Sequence, residues 1–304
     1  TSPGPELSVR HFAGFIMRGR LSAVVVILAS AMIPLLPWIS GGALSLVTLR
    51  RGATEGAFAG GASALVLIAV IGALAGTPQP ALQPILQLWL PVFLIALWLR
   101  YSVSLAQSLE AAAGLAAVAV AIFYFLHPDT ATYWREVFGQ ARALFPAQSM
   151  SDSLAWQEVV TALAPEMTRF WAMNLLGLVT GSLLLGRWWQ AMLYNPGGFR
   201  AEFHALRLER WFAWAVLVGL VAAAVLGQGL VYDIAFTLSL VFVLQTLAVL
   251  HTFSARQHWG KLWLVLIYLF LPLVIQLAAI VGIIDVFLDM RRRGKGASDQ
   301  GGAV

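Results

Sequence analysis

The sequence contains no cysteine and few charged residues. None of its 304 residues is Cys, and Asp, Glu, Lys and Arg together make up only 11% of the chain. The absence of thiols excludes disulfides, thiolate nucleophiles and zinc–thiolate or iron–sulfur sites. A soluble domain has about 25% charged residues, whereas this chain is 60% apolar, so it is not an ordinary water-soluble protein. The composition predicts an all-α polytopic membrane protein.

Motifs that carry enzymatic chemistry are also missing. No GxxxxGK(S/T) loop occurs, so the chain has no P-loop for nucleotide phosphates, and neither HExxH nor GxSxG is present. The five histidines are scattered, and the close pair His251 and His258 has no carboxylate between its members to complete a metal site. We therefore expect no enzymatic activity, no metal and no cofactor.

Apolar runs long enough to cross a bilayer are frequent. A span needs about 20 apolar residues. Prolines and glycines interrupt the first run near Pro34 and Pro37, and Pro272 interrupts the last, so each is either one kinked span or a hairpin of two short helices. The total is about 8–10 membrane segments. The runs are 21–49, 53–75, 81–99, 103–126, 168–186, 211–228, 233–251 and 262–289.

The distribution of Lys and Arg separates these alternatives. If both interrupted runs are hairpins, 16 of the 19 basic residues lie on the side of the two termini, whereas only 10 do if both are single spans. Because cytoplasmic loops hold most Lys and Arg in membrane proteins, we favour the hairpins, with both termini cytoplasmic. The net charge of +5 then reflects topology, and we expect no nucleic-acid partner. This gives a cytoplasmic segment 1–20, one transmembrane domain 21–289 and a basic cytoplasmic tail 290–304.

Two segments outside the predicted spans are long enough to have a role. Residues 127–167 contain two amphipathic stretches on the outer face, which either pack at the lipid interface or form a lid over a pocket. Residues 187–210 form a cytoplasmic loop that is either a solvated surface or a docking site for a partner. A small-molecule pocket under the outer segment would be lined by Trp134, Trp156, Asn174, Gln83 and Gln87.

Small residues recur every four positions at the start of the second apolar run. Gly52, Gly56, Gly60 and Ala64 share one helix face. Small residues at this spacing let a second helix approach closely, so the face packs either within the protein or against another subunit.

Ionisable residues inside predicted spans are costly and are therefore candidates for function. Glu110 lies near the inner end of its span, within reach of Arg100 or Arg51, and either forms a buried ion pair or has a role with a ligand. Asp285 lies within two turns of Arg291–Arg293, which favours an ion pair at a helix end.

Four segments carry a resemblance to a known family. They are LSLVTLRRG at 44–52, EGA at 55–57, NPGGFRAEFH at 195–204 and GIIDVFLDMR at 282–291. In these segments the chain resembles the YybS-like bacterial membrane proteins, which are similar to the substrate-capture (S) subunits of energy-coupling-factor transporters. The resemblance implies an S-subunit-like helical bundle in the bacterial cytoplasmic (inner) membrane, coupled to a transmembrane subunit and separate ATPases. The Ala-x-x-x-Ala pattern common in the first helix of those subunits is missing here.

Two functions remain open from the sequence. The first is substrate capture or small-molecule transport without an ATPase of its own. The second is a non-transporting scaffold or assembly factor that binds other membrane proteins. The lipid bilayer is a partner in either case.

Overall fold

A computed structural model describes residues 5–144, 154–257 and 261–291. Over these ranges the chain is all-α, with no strand. Six helices are long and apolar enough to cross a membrane, or up to seven if one sharply bent pair counts as a single span, against the 8–10 membrane segments expected from the sequence. The protein is therefore a polytopic integral membrane protein, as its composition predicts.

The N-terminal segment forms three helices, of which the first two meet at a sharp bend and the last two form a hairpin. Its helices are α1 (Pro5–Ile16), α2 (Arg20–Ala31) and α3 (Pro37–Arg51), and α1 meets α2 at 113°. Pro37 occupies the first turn of α3, where its missing N–H costs nothing. Ser40 Oγ donates to the carbonyl oxygen of Ile27 at 2.7 Å, and Arg51 bonds the carbonyl oxygen of Met17. The run 21–49 is thus a hairpin whose two ends lie together.

The next four helices form three spans, because the second and third of them belong to one continuous span. The four helices are α4 (Ala53–Ala75), α5 (Gln79–Pro84), α6 (Leu90–Ser102) and α7 (Leu105–Leu126), with a π-helical turn at Ile85–Trp89 joining α5 to α6. Gly52, with φ +97°, makes the sharp turn between α3 and α4. Ser104 begins α7 by accepting a hydrogen bond from the backbone N–H of Gln107 at 3.3 Å.

Two amphipathic helices precede the longest span. They are α8 (Thr130–Leu144) and α9 (Leu154–Leu163), followed by a 3₁₀ turn at Ala164–Glu166, the span α10 (Met167–Tyr194) and a short α11 (Gly198–His204). The prediction of two amphipathic helices in 127–167 is confirmed, except that 145–153 lie outside the described residues. α3 runs along α10 at close range, because a Cβ on Gly186 would overlap Ser45 and one on Gly41 would overlap Ser182.

The remaining helices are α12 (Arg210–Leu226), α13 (Leu230–Ser239), α14 (Val241–Arg256) and α15 (Lys261–Leu288). α13 and α14 follow one another with a break at Leu240 and together make one span. By length and hydropathy the segment 262–288 also passes as a span. Its backbone leaves the helical region at Val274, two residues after Pro272, where φ is −116° and ψ is 19°.

The contacts of α15 show that it folds back at Val274. Arg256 Nη1 donates to the carbonyl oxygen of Arg291 at 2.8 Å. Lys261 is five positions after Arg256, so that stretch spans at most about 18 Å. A straight helix from Lys261 to Arg291 would be about 45 Å long, so its two ends could not both lie near Arg256. The segment 262–289 is therefore a hairpin, with an entry arm (261–273) and a return arm (275–288).

Both arms of α15 pack along α14. In the entry arm, Tyr268 hydroxyl lies 2.9 Å from His251 Nε2. In the return arm, Gln245 Nε2 donates to Asp285 Oδ2 at 2.9 Å, and Gly282 lies directly against the backbone of Phe242. The hairpin therefore enters and leaves at the same end of the bundle.

Basic residues concentrate at one end of the bundle, which we call the arginine-rich end. It contains the ends of both hairpins, the α3–α4 and α6–α7 turns, and α11. Of the 16 Lys and Arg residues in the described ranges, 13 lie at this end, and the other three are Arg135, Arg142 and Arg169. The opposite end is held by Tyr124 hydroxyl donating to Asp233 and by Trp134 Nε1 donating to Thr168.

Candidate functional site

A cavity of about 850 Å³ opens at the arginine-rich end, and we call it the arginine pocket. The α3–α4 turn, the α6–α7 turn, the end of α10 and α11 form its walls. Four arginines from four different elements line it together with a few polar and several apolar residues. The arginines are Arg50, Arg100, Arg187 and Arg207, the polar residues include Ser104, Gln190 and Glu202, and the apolar ones include Leu49, Leu99, Val103, Leu105 and Leu206.

Arg100 is fixed in place by the end of α3. Its Nη1 donates to the carbonyl oxygen of Leu49 at 2.5 Å, so its guanidinium caps a helix C-terminus, where a positive charge is stabilised. A Cβ built on Gly52 would lie 3.6 Å from the carbon of the same guanidinium, an ordinary van der Waals distance. Arg100 is thereby held in place on the wall of the cavity, which it lines.

Arg50 is held by an aromatic ring. Its guanidinium carbon lies 4.0 Å from the ring centroid of Tyr194, a cation–π contact that leaves its N–H donors unused. Within the described ranges neither Arg50 nor Arg100 has a carboxylate at ion-pair distance. These two arginines supply the excess positive charge of the pocket.

The other two arginines are neutralised by carboxylates. Arg207 Nη1 lies 2.9 Å from Asp289 Oδ2 and also bonds the return arm of α15 through the Val286 carbonyl. Arg187 Nη2 lies 2.8 Å from Glu202 Oε2, although the two groups are not aligned for a hydrogen bond. Burial raises the pKa of Glu202, and the charge of Arg187 offsets that effect only in part.

The first turn of α7 also borders the cavity. Leu105 and Ala106 line the cavity, and their backbone N–H groups belong to the first turn, which has no intrahelical acceptors. The positive end of the α7 dipole adds to the field of the arginines.

Glu110 lies behind the pocket wall and has a different partner from the ones that we expected. It is 6% exposed, and its Oε1 accepts from the backbone N–H of Glu209 at 2.6 Å. The expected ion pair with Arg100 or Arg51 is not formed, because both arginines bond backbone carbonyls instead. Glu110 therefore secures the segment that leads into α12.

Asp285 is fully buried and joins the return arm of α15 to its surroundings. It accepts from Gln245 Nε2, from Arg291 Nη2 at 3.1 Å and from the backbone N–H of Met290 at 2.9 Å. Gln245 in turn accepts from the backbone N–H of Leu208 at 2.8 Å. Arg291 continues the network by donating to the carbonyls of His204 and Leu206. The network holds the segment 204–209, which forms one wall of the pocket.

The five residues that we expected to line an outer pocket occupy different surroundings. Gln87 sits in the π-helical turn and lines an apolar crevice of about 170 Å³ beside Trp171. Trp134 is stacked on Phe123, with ring centroids 5.7 Å apart, and Trp156 packs edge-on against Phe138. The side chains of Gln83 and Asn174 are exposed on the surface of α5 and α10. Gln87 therefore lines this crevice, and the other four expected residues do not.

The small-residue face of α4 packs inside the protein. A Cβ on Gly56 would overlap Thr48, and one on Gly60 would lie 3.4 Å from Leu44, both in α3. Gly52 forms the α3–α4 turn, and Ala64, one turn beyond Gly60, is half-buried against the core. The face is thus used by α3, which leaves little of it for another subunit.

From the sequence, the four pocket arginines serve as markers of topology, and Arg100 also as an expected partner of Glu110. Their positions could have indicated a common site, because Arg50, Arg100 and Arg187 directly follow predicted spans that all end on the same side.

Within the described part of the chain, no group of three or more His, Asp or Glu residues could hold a metal ion. Comparison with protein-family models, with curated proteins and with solved structures finds no match to this chain.

Proposed function

We propose that the protein is a small-molecule-binding subunit of a transport system in the bacterial cytoplasmic membrane, without an ATPase or other catalytic activity of its own. The arginine pocket would take its ligand, an anion, from the cytoplasmic side. The observation that carries this proposal is the pair Arg50 and Arg100 on a cavity of about 850 Å³, with no carboxylate paired to either within the described ranges.

The arrangement of basic residues supports this orientation. The arginine-rich end holds 13 of the 16 described Lys and Arg residues, and the positive-inside rule assigns such an end to the cytoplasm. The pocket volume lies within the range of about 300–1,000 Å³ typical of small-molecule sites. The energy-coupling-factor S subunits offer a precedent for a binding subunit without a P-loop, and the partners would then be a coupling subunit and ATPases.

The experiment is purification in mild detergent from native membranes, followed by mass spectrometry of co-eluting proteins and small molecules. Wild-type protein should carry an anionic small molecule or ATPase-bearing subunits, and Arg50→Gln should lose the small molecule. Arg135→Gln removes one charge at the opposite end and is the matched control. Recovery of neither a ligand nor a transport subunit would contradict the proposal.

A second function, that of a membrane scaffold, is favoured by the exposed hairpin of α15. Leu269, Leu273 and Leu277 are 66%, 80% and 63% exposed, which leaves a long apolar surface on a helix that contacts the bundle through few elements. In the same purification, stoichiometric membrane proteins without ATPases would support this second function.

A further inference from the structure

The arginine pocket has the charge and shape to recognise one chemical class of anion. This inference rests on the proposed function and specifies its ligand. We propose that the pocket binds a phosphate ester, with Arg50 and Arg100 on the phosphate and the apolar wall against the organic part.

The charge balance favours a dianion. Glu202 neutralises Arg187 and Asp289 neutralises Arg207, which leaves two positive charges on Arg50 and Arg100. A phosphate monoester carries about −1.5 to −2 charges at pH 7, whereas a single carboxylate carries one. A dianion therefore neutralises the pocket, and a monocarboxylate leaves one arginine unpaired.

The type of side chain favours phosphate as well. All four basic residues in the lining are Arg and none is Lys. The planar guanidinium presents paired donors that match two phosphate oxygens, and it does so best when the side chain is already held. Arg100 is held by the Leu49 carbonyl and Arg50 by Tyr194, so both approach that condition.

The size of the pocket requires more than inorganic phosphate. A cavity of about 850 Å³ is far larger than a single phosphate group, and Val103, which is 84% exposed, gives its lining an apolar side chain open to a ligand. An organic group attached to the phosphate would cover Val103 and exclude water. The same chemistry occurs in a soluble sugar or glycerol phosphate and in the headgroup of an anionic lipid, which basic pockets at the cytoplasmic leaflet also bind.

The test measures binding to the full-length protein in detergent with two pairs of probes. The soluble arm compares glycerol 3-phosphate with succinate and glycerol. The lipid arm compares phosphatidic acid with oleate and diacylglycerol in mixed micelles. At least one phosphate probe should bind about tenfold or more tightly than its phosphate-free partners, and Arg50→Gln should weaken it by about 10- to 100-fold. In the described ranges Arg50 makes no hydrogen bond to a backbone carbonyl, so the Arg50→Gln variant should fold. The control variant Arg135→Gln should bind the phosphate probe as tightly as the wild type does.

The outcomes separate the two proposals. Binding in the soluble arm identifies a free phosphate ester as the source, and binding in the lipid arm alone identifies a lipid headgroup; both support the inference. If succinate or oleate binds as tightly as its phosphate counterpart and still depends on Arg50, the phosphate inference is wrong while the anion site of the proposed function stands. If no anion binds in an Arg50-dependent way, both proposals fail.

Discussion

Arg256 and Arg291 are 35 residues apart in sequence, yet Arg256 Nη1 donates to the Arg291 carbonyl at 2.8 Å. This bond brings the end of α14 and the end of α15 to the same point. It makes the last apolar run a hairpin that enters and leaves on one side, as does the run 21–49. The arginine-rich end therefore gathers both hairpins, and the pocket is built from the turns that meet there.

The fold of α15 predicts the sidedness of thiol labelling. The chain has no cysteine of its own, so single cysteines report without background. Gln257→Cys, just before α15, and Met290→Cys, just after it, should react with a membrane-impermeant reagent from the same side, and Glu136→Cys from the other. Labelling of Gln257→Cys and Met290→Cys from opposite sides would mean that α15 crosses the membrane.

The buried charge of Asp285 predicts a large loss of stability on its removal. Asp285→Ala leaves Arg291 buried without its carboxylate, and breaking a buried pair in this way costs about 3–5 kcal/mol. We expect a matching decrease in the free energy of unfolding in mixed detergent. In the double variant with Arg291→Gln the two losses should be less than additive, because the variants remove the same interaction. Strict additivity would show that the pair is not coupled.

Close packing of α15 on α14 predicts contrasting effects of alanine at two glycines. A Cβ on Gly282 would overlap the Phe242 carbonyl, whereas one on Gly61 meets nothing within 4 Å. Gly282→Ala should therefore destabilise the protein by about 1–3 kcal/mol, since a backbone atom cannot move aside cheaply. Gly61→Ala should stabilise it by about 0.5–1 kcal/mol through helix propensity. Equal melting temperatures for the two variants would contradict the observed approach of the helices.

The raised pKa of Glu202 predicts a pH dependence of anion binding. As the pH falls through this raised pKa, Glu202 gains a proton and no longer neutralises Arg187, so the pocket becomes more positive. The affinity for sulfate, which stays a dianion, should rise on acidification. Glu202→Gln should bind sulfate more tightly at neutral pH and should lose most of the dependence.

Two further results check that Glu202 is the group concerned. His204 is close in sequence, and burial lowers its pKa, so His204→Gln should keep the pH dependence. Ionisation of Glu202 is disfavoured in the folded protein, so its contribution to stability is lost as the pH rises from its ordinary pKa to the raised one. The melting temperature of the wild type should fall over that interval relative to Glu202→Gln. An unchanged pH profile in Glu202→Gln would assign the effect to another group.

The sequence predicted the fold far better than the site. Long apolar runs, the Pro34–Pro37 and Pro272 interruptions and the one-sided distribution of arginines depend only on local composition, so spans, hairpins and a basic end were all predictable. The pocket depends on tertiary contacts. The Arg187–Glu202 and Arg207–Asp289 pairs decide which arginines stay unpaired, and no local pattern contains that information.

The ion pair expected for Glu110 is not formed, for a similar reason. A nearby arginine is visible in the sequence, but the backbone N–H of Glu209, 99 residues away, is the group that Glu110 bonds. In the sequence, aromatic and amide residues in and around the amphipathic segment predict an outer pocket there. In the structure Trp134 packs in an aromatic cluster and Asn174 is exposed, and these surroundings depend on how α8 lies on α10.

The central claim is that the arginine pocket opens to the cytoplasm and binds an anion. Val103 lines this pocket and is 84% exposed, so Val103→Cys places a reactive thiol in it. The decisive measurement is labelling of Val103→Cys by a membrane-impermeant reagent in inside-out and right-side-out vesicles, with and without glycerol 3-phosphate or phosphatidic acid. We predict labelling in inside-out vesicles alone, slowed by one of these two compounds. Labelling from the outer side, or a labelling rate that neither compound changes, would contradict the account.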